Sequence, residues 1–361
     1  MRELDGLIGL AACALLVACE QPVSTEPASF AGLGESGEGF AEVRPGTELS
    51  FPADHGAHPD YRIEWWYLTA NLEDVEGRDW GIQWTLFRQA LRPQDQAGAE
   101  DGWHSQQVWL GHAAVTNADS HAFAERLARG GVGHAGVTAE PFAAWIDDWQ
   151  LQGEGNERLS PLSLEASGDD FAYRLRFSSD QPMVPQGEQG YSVKSTAGQA
   201  SIYVSQPFYQ VSGEIDWQGE TIAVTGQGWL DREWSSQPLA AGQDGWDWFS
   251  LHLDSGEKLM LFRLRHSDGE HYYSGTWIQA DGQPQPLQPE QISMQPLRTT
   301  RVAGQDTPTS WQLQVPDIGL EITTDAMNPH SWMGTQISYW EGPIRFSGSH
   351  TGVGYLEMTG Y

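Results

Sequence analysis

Three stretches of the chain carry side chains able to do chemistry. The first is Asp231-Arg232-Glu233-Trp234, closely preceded by Trp229. An Asp set among indoles is desolvated, its pKa rises, and it can then hold a proton near neutrality and deliver it as a general acid, with Glu233 as a second carboxylate. The competing reading pairs Asp231 with Arg232 or another arginine and keeps it ionised. The second stretch is Asp54-His55-Gly56-Ala57-His58-Pro59-Asp60, followed by Glu64. His55, His58 and Glu64 have the residue types for acid–base work or metal binding, and equally for a loop knitted by hydrogen bonds and salt bridges. They match no strict metal motif, so no metal is assigned. The third feature is a set of aromatic residues, Trp65, Trp66, Tyr67, Trp229, Trp234, Trp246 and Trp248, drawn from a chain with 17 tryptophans. Such rings serve either as sheet core or as the wall of a pocket for a long apolar ligand. Trp65 and Trp66 cannot both face the same side of a strand, so the pair must serve two layers.

The elements that hold these residues read as short strands. Alternating runs bounded by Gly, Asp, Asn and Pro include 64–72, 80–89, 108–116, 142–151, 171–177, 200–205, 209–217 and 221–229, and the pattern resumes from Trp246 to the end. This spacing predicts an all-β protein of two antiparallel barrel or sandwich domains. The one expected helix is Ala122–Arg129. A weak duplication supports two domains: Trp66-Tyr67 leads through a hairpin to Leu86-Phe87-Arg88, and Trp248-Phe249 leads to Leu261-Phe262-Arg263. The change of domain is expected within 218–240, giving an N-terminal domain at 49–225 and a C-terminal domain at 226–361.

Residues 1–18 read as a lipoprotein signal peptide, because the apolar run 7–17 is too short to span a bilayer and ends in Leu16-Val17-Ala18-Cys19. Cys19 is the expected lipidation site. Residues 19–48, rich in Gly, Ser, Glu and Pro, read as a linker; the Gly-x-Gly-x-x-Gly at 32–37 within it lacks a preceding strand and a following helix, so no dinucleotide and no other cofactor is expected. The only cysteines are Cys13 and Cys19, which rules out a disulfide framework in the body. With 49 acidic against 19 basic residues and a formal charge of −30, nucleic acid is excluded as a partner. The expected contact with a membrane is the N-terminal acyl anchor. Neither a Gly-x-Ser-x-Gly elbow nor a His-Glu-x-x-His pair occurs, so serine-esterase and zincin chemistry have no support.

Several motifs together resemble a known family. Phe51-Pro52-x-Asp54-His55-Gly56-x-His58-Pro59, Glu64-Trp65-Trp66-Tyr67, Gln186-Gly187-x-x-Gly190-Tyr191-Ser192-x-Lys194, Trp229-x-Asp231-x-Glu233-Trp234, Gly245-Trp246-Asp247-Trp248 and Gly354-Tyr355-x-Glu357-x-Thr359-Gly360-Tyr361 are similar to the AttH family of predicted secreted hydrolases. The family is related to carotenoid 1,2-hydratases and, more remotely, to lipocalin-like pericyclases. The resemblance implies two lipocalin-like domains with a ligand site in or between them, and it matches Asp231 to the acid that protonates a double bond in the hydratases. The His and Trp that accompany that acid have no counterpart in Tyr203-Val204-Ser205. Family members are often encoded beside ABC-transporter permeases, which implies an accessory role in moving an apolar compound. Glu20 after the acylated cysteine implies the outer membrane, facing the periplasm. The expectation is therefore an envelope lipoprotein that binds a lipid or isoprenoid-like molecule in a Trp-rich cavity, or alternatively a secreted hydrolase or hydratase-like enzyme with Asp231 as general acid.

Overall fold

The computed structural model describes residues 37–94, 102–237, 240 and 242–361. The signal segment, Cys19 and most of the linker lie outside the described residues. The described part of the linker is joined to the body: Val43 is buried in the first core and Ala41 N donates to Asp60 O at 2.9 Å.

Twenty-three strands are described, and all pair antiparallel. The first sheet holds β1 (Ile63–Asp74), β2 (Asp79–Ala90), β3 (Gln107–Thr116), β4 (His121–Arg129), β5 (Ala135–Ala139), β6 (Phe142–Ile146), β7 (Trp149–Gly153), β8 (Leu162–Ser167), β9 (Phe171–Ser178), β10 (Val184–Pro185), β11 (Tyr191–Val193), β12 (Ala200–Trp217) and β13 (Glu220–Ser235). Its order is β4-β3-β2-β1-β13-β12-β9-β8-β7-β6-β5, with β10 and β11 added on β12. It curls until β2, β3 and β4 approach β6, nearly closing a barrel around Trp66, Trp84 and Trp149. The second sheet holds β14 (Gln243–Leu253), β15 (Lys258–His266), β16 (Tyr272–Ile278), β17 (Pro284–Leu287), β18 (Ser293–Val302), β19 (Gln305–Val315), β20 (Leu320–Ala326), β21 (Trp332–Met333), β22 (Tyr339–Gly348) and β23 (Gly352–Thr359). Its order is β17-β16-β15-β14-β23-β22-β20-β19-β18, curled over Phe249, Trp311 and Trp340. The all-β, two-sheet architecture is the one the strand spacing predicts.

The sheets change over between Ser235 and Gln243, past the expected division at 225/226, because β13 continues pairing with β1 through Ser235. Ala122–Arg129, expected as a helix, is part of the strand β4. Asn117 Oδ1 accepts from Asp119 N and Ser120 N, turning the chain back onto β3, and Ala122, Ala124 and Ala128, all on one face of the strand, then pack on the barrel core. Sheet pairing overrides the helical propensity of Ala, Leu, Glu and Arg. The run 142–151 is two strands rather than one, since Asp147 takes a left-handed φ of 51° in a turn. Conversely, 200–205 and 209–217 form a single strand whose register shifts between Gln206 and Tyr209, where Pro207 lacks the N–H a continuous ladder needs.

The duplication is real in the structure but offset by one residue from its apparent alignment. Glu64 pairs with Arg88 across β1 and β2, and Asp247 pairs with Arg263 across β14 and β15. Each carboxylate bonds its arginine inside its own sheet's core, at 3.1 and 2.6 Å. The repeated unit is thus acid-Trp followed by Phe-Arg: Glu64-Trp65 with Phe87-Arg88, and Asp247-Trp248 with Phe262-Arg263.

The outer faces of the two central hairpins meet, β1 against β23 and β2 against β22. Gly81 permits the approach, because a Cβ there would lie 2.6 Å from Pro343 Cγ and 2.7 Å from the Tyr355 hydroxyl. A third apolar cluster, including Tyr67, Tyr203, Trp229, Trp248, Phe262 and Tyr355, seals this junction and draws on both sheets.

Candidate functional site at the junction of the two sheets

Strand alternation sorts the candidate residues onto two faces. On β1, Glu64 and Trp66 point into the barrel, while Trp65 and Tyr67 face the second sheet. On β13, Arg232 and Trp234 point into the barrel, while Asp231 and Glu233 face outward. At the junction a cleft of about 140 Å³ opens between the sheets. Its aromatic wall comes from Trp65 and Tyr67 on one side and Trp246, Trp248 and Phe262 on the other. Its charged groups are Asp231, Glu233, Glu357 and Lys194, and Ser201, Ser235 and three glutamines complete its polar lining.

Asp231 is 5% exposed and held by three donors. Tyr203 Oη donates to Oδ2 at 2.6 Å, and Ser205 Oγ and Trp229 Nε1 donate to Oδ1 at 2.5 and 2.6 Å. Behind them, Trp248 Nε1 donates to the Tyr203 hydroxyl at 3.0 Å and Gln186 Nε2 to Ser205 Oγ at 2.8 Å. Burial pushes the Asp231 carboxyl up to about 7 against the pull of these three bonds, and the nearby charge of Glu233 adds to the rise. The arginine pairing open on the sequence is not what the fold builds. Arg232 lies on the opposite face, where it bonds Glu64 Oε1 at 2.8 Å, Trp65 O at 2.7 Å and Gly56 O at 2.8 Å, stacked 4.0 Å over Trp66. An unpaired, buried carboxyl with a near-neutral pKa is able to carry a proton to a molecule in the cleft.

The other expected catalytic residues divide. Glu233 lines the cleft and pairs with Lys194 at 3.0 Å. His55, His58 and Glu64 stand on the barrel side of β1, away from Asp231. Glu64, 0% exposed, takes Arg88, Arg232 and the His58 ring, and His58 Nε2 also meets Asp54 Oδ1 at 3.2 Å. Burial raises the Glu64 pKa, but Arg232, His58 and Arg88 outweigh it and hold the group down to about 2. His58 stacks on Trp234 with ring centroids 3.9 Å apart. His55 is buried between Phe51 and Phe142, its Nε2 3.0 Å from Asn156 O, and burial together with Arg232 lowers its pKa to about 4. These residues knit the 53–64 segment to itself and to the first sheet. Among the described residues no group of His, Cys, Asp and Glu is arranged to hold a metal ion.

Of the aromatic candidates, Trp65, Tyr67, Trp246 and Trp248 line the cleft, Trp66 and Trp234 lie in the barrel core, and Trp229 sits behind Asp231 as its donor. Sequence reasoning missed Tyr203 and Ser205 as holders of the acid, although their i, i+2 spacing on one strand was visible. It also gave no role to Lys194, Phe262 or Glu357.

The fold has known counterparts. A crystal structure of NE1406 from Nitrosomonas europaea, assigned to AttH, superposes with a TM-score of 0.78 at 34% identity, covering 89% of this chain and all of that one. Kievitone hydratase from Nectria haematococca shares the fold at 15% identity and a TM-score of 0.66, over 90% of this chain and 97% of its own. The structure of CghA with Sch210972 does so at 11% and 0.52, over 91% and 97%. No functionally curated protein matches the sequence. The AttH-like family model matches residues 42–361, and the chain belongs to that family.

Proposed function

We propose that the cleft between the sheets binds a neutral apolar small molecule of lipid or isoprenoid type and that Asp231 protonates it. The observation that carries this reading is a buried carboxyl, free of any arginine, facing an aromatic-walled cleft. The cleft's charge favours a neutral ligand: it holds three carboxyls, and its cation, Lys194, is already paired with Glu233. Ser201 lines the cleft with a buried hydroxyl that has no partner among the described residues, which suits a ligand carrying one polar group on an apolar body. The likeness to kievitone hydratase is one of fold, and its name agrees with proton-delivery chemistry. In the cell, the same reading places the protein on the outer membrane, anchored through Cys19 and facing the periplasm, where it serves an ABC-transporter permease as the acceptor or modifier of an apolar compound.

The test uses N-phenyl-1-naphthylamine as a neutral probe and palmitate as an anionic one. The neutral probe quenches tryptophan fluorescence saturably at about one per chain, as a single preformed pocket requires, and palmitate does not compete. A panel of neutral isoprenoid and aryl alkenes in deuterium oxide then reports protonation as incorporated deuterium. Asp231→Asn keeps the shape and removes the acid, so incorporation falls by roughly two to four orders of magnitude while probe binding holds. Probe binding with no alkene labelled by the wild-type protein would leave the cleft as a carrier's pocket.

A further inference from the structure

We propose that Glu357 is the second acid–base group of this cleft, and that it and Asp231 hold a ligand between them, one giving a proton as the other takes one. The inference rests on the proposed role of Asp231. Glu357 lies on β23, opposite Trp248 on β14 and Glu341 on β22. It shares a face of its strand with Tyr355, which is buried in the cluster joining the two sheets. Asp231 comes from the first sheet and Glu357 from the second, and both line the one cleft, so a molecule lodged between the sheets meets a carboxyl from each.

The other acidic groups at the junction are committed elsewhere. Glu233 is paired with Lys194, and Glu341 does not line the cleft but accepts from the Tyr67 hydroxyl beneath it. Glu357 accepts one bond, from Trp246 Nε1 at 2.6 Å, and is only partly buried on the cleft side. The two carboxyls are therefore unequal. Three donors stabilise the anion that Asp231 becomes after losing its proton, whereas Glu357 has a single donor. Burial raises both groups to about 7, and the charges of Asp231 and Glu233 add to the rise at Glu357.

That arrangement suits addition of water to a polarised carbon–carbon double bond in a neutral substrate. The π pair takes the Asp231 proton to form a C–H bond, leaving the neighbouring carbon electron-poor. The oxygen of a water molecule bonds that carbon and releases a proton to Glu357. Asp231 ends as the anion and Glu357 protonated, and proton exchange through solvent restores the pair. No electrons are gained or lost.

The pairing is testable without a known substrate. With 13C-carboxyl-labelled Asp and Glu in the full chain, the Asp231 titration midpoint falls by about one pH unit in Glu357→Gln, and the Glu357 midpoint falls comparably in Asp231→Asn. Gln at 357 retains an oxygen for Trp246, and the melting temperature verifies that the variant is folded. In the wild-type protein, saturating N-phenyl-1-naphthylamine moves both midpoints together, a measurement that needs no variant. An Asp231 midpoint unmoved by Glu357→Gln, or a probe that shifts Asp231 alone, overturns the role of Glu357 and leaves Asp231 as an acid. A probe that binds without disturbing either group, or does not bind, overturns both readings.

Discussion

Trp248 of the second sheet donates its indole N–H to the hydroxyl of Tyr203 on the first, and that hydroxyl in turn donates to Asp231. One of the three donors that hold Asp231 is thus itself held by a bond that crosses between the sheets. Trp248→Phe keeps an aromatic ring in the junction, removes the donor and leaves a buried hydroxyl one partner short. Loss of that bond is expected to cost about 1 to 3 kcal/mol, read as a lower midpoint in urea unfolding. An unchanged midpoint would show that the sheets do not depend on this contact.

Two fully buried glutamates are expected to respond unequally to the same substitution. Glu64 is ionised between Arg88 and Arg232, so Glu64→Gln strands two buried guanidinium groups and should cost about 3 to 5 kcal/mol. Glu341 accepts from Tyr67 with no cation beside it, and burial, with the charge of Glu357, holds its pKa well above the carboxylate range. The shift favours the neutral carboxyl, of which Gln is nearly an isostere, so Glu341→Gln should cost about 1 kcal/mol or less. Equal losses in urea unfolding would mean that the charge states have been misassigned.

Raised and depressed carboxyls set opposite slopes of stability with pH. Asp231 and Glu357 have folded pKa values raised to about 7 from ordinary values of 3.8 and 4.5. Between those limits the folded chain binds more protons than the unfolded one, so their contribution declines as pH rises from about 4 through 7. Glu64 is depressed from 4.5 to about 2, so its contribution is complete above 4.5 and is lost as pH falls towards 2. Asp231→Asn should therefore change the slope of melting temperature on the alkaline side of about pH 4, removing part of the decline the wild type carries there, and leave the acid limb set by Glu64 unaltered. A variant whose alkaline slope matches the wild type would remove Asp231 from the raised set.

How much of this was legible in the sequence depends on which contacts are local. Alternation and turn residues disclosed the strands, and the placement of Asp231 after Trp229 disclosed a carboxyl set against an indole, because both are properties of neighbouring residues. The partition of Trp65 from Trp66 followed from the two-residue period of a strand. The acid's partners, by contrast, are set by register: Tyr203 and Ser205 reach Asp231 because β12 pairs with β13 as Ser205 opposite Asp231. Glu357 enters through the packing of separate sheets, which no local pattern encodes. His55, His58 and Glu64 had the right chemistry but the wrong parity, since Glu64 and Asp231 occupy opposite faces of the first sheet. Ala122–Arg129 failed for a similar reason, its helical composition being overridden by pairing with β3.

The anchoring prediction concerns Cys19, which lies outside the described residues and stands on Leu16-Val17-Ala18-Cys19. In a lipoprotein the cysteine thiol takes a diacylglyceryl group before the signal peptide is cut, and several acyl chains together hold a soluble body on a bilayer where one would bind only weakly. Cys19→Ser lacks the thiol, so the expected product carries no labelled palmitate and remains uncleaved at this site. The wild-type chain should partition with outer-membrane fractions and need detergent for release. Residues 37–361 contain no cysteine, so acyl label cannot move to another thiol in the body. Equal palmitate incorporation by the Ser variant and the wild type would refute acylation at Cys19, and with it the membrane-anchored placement of the cleft.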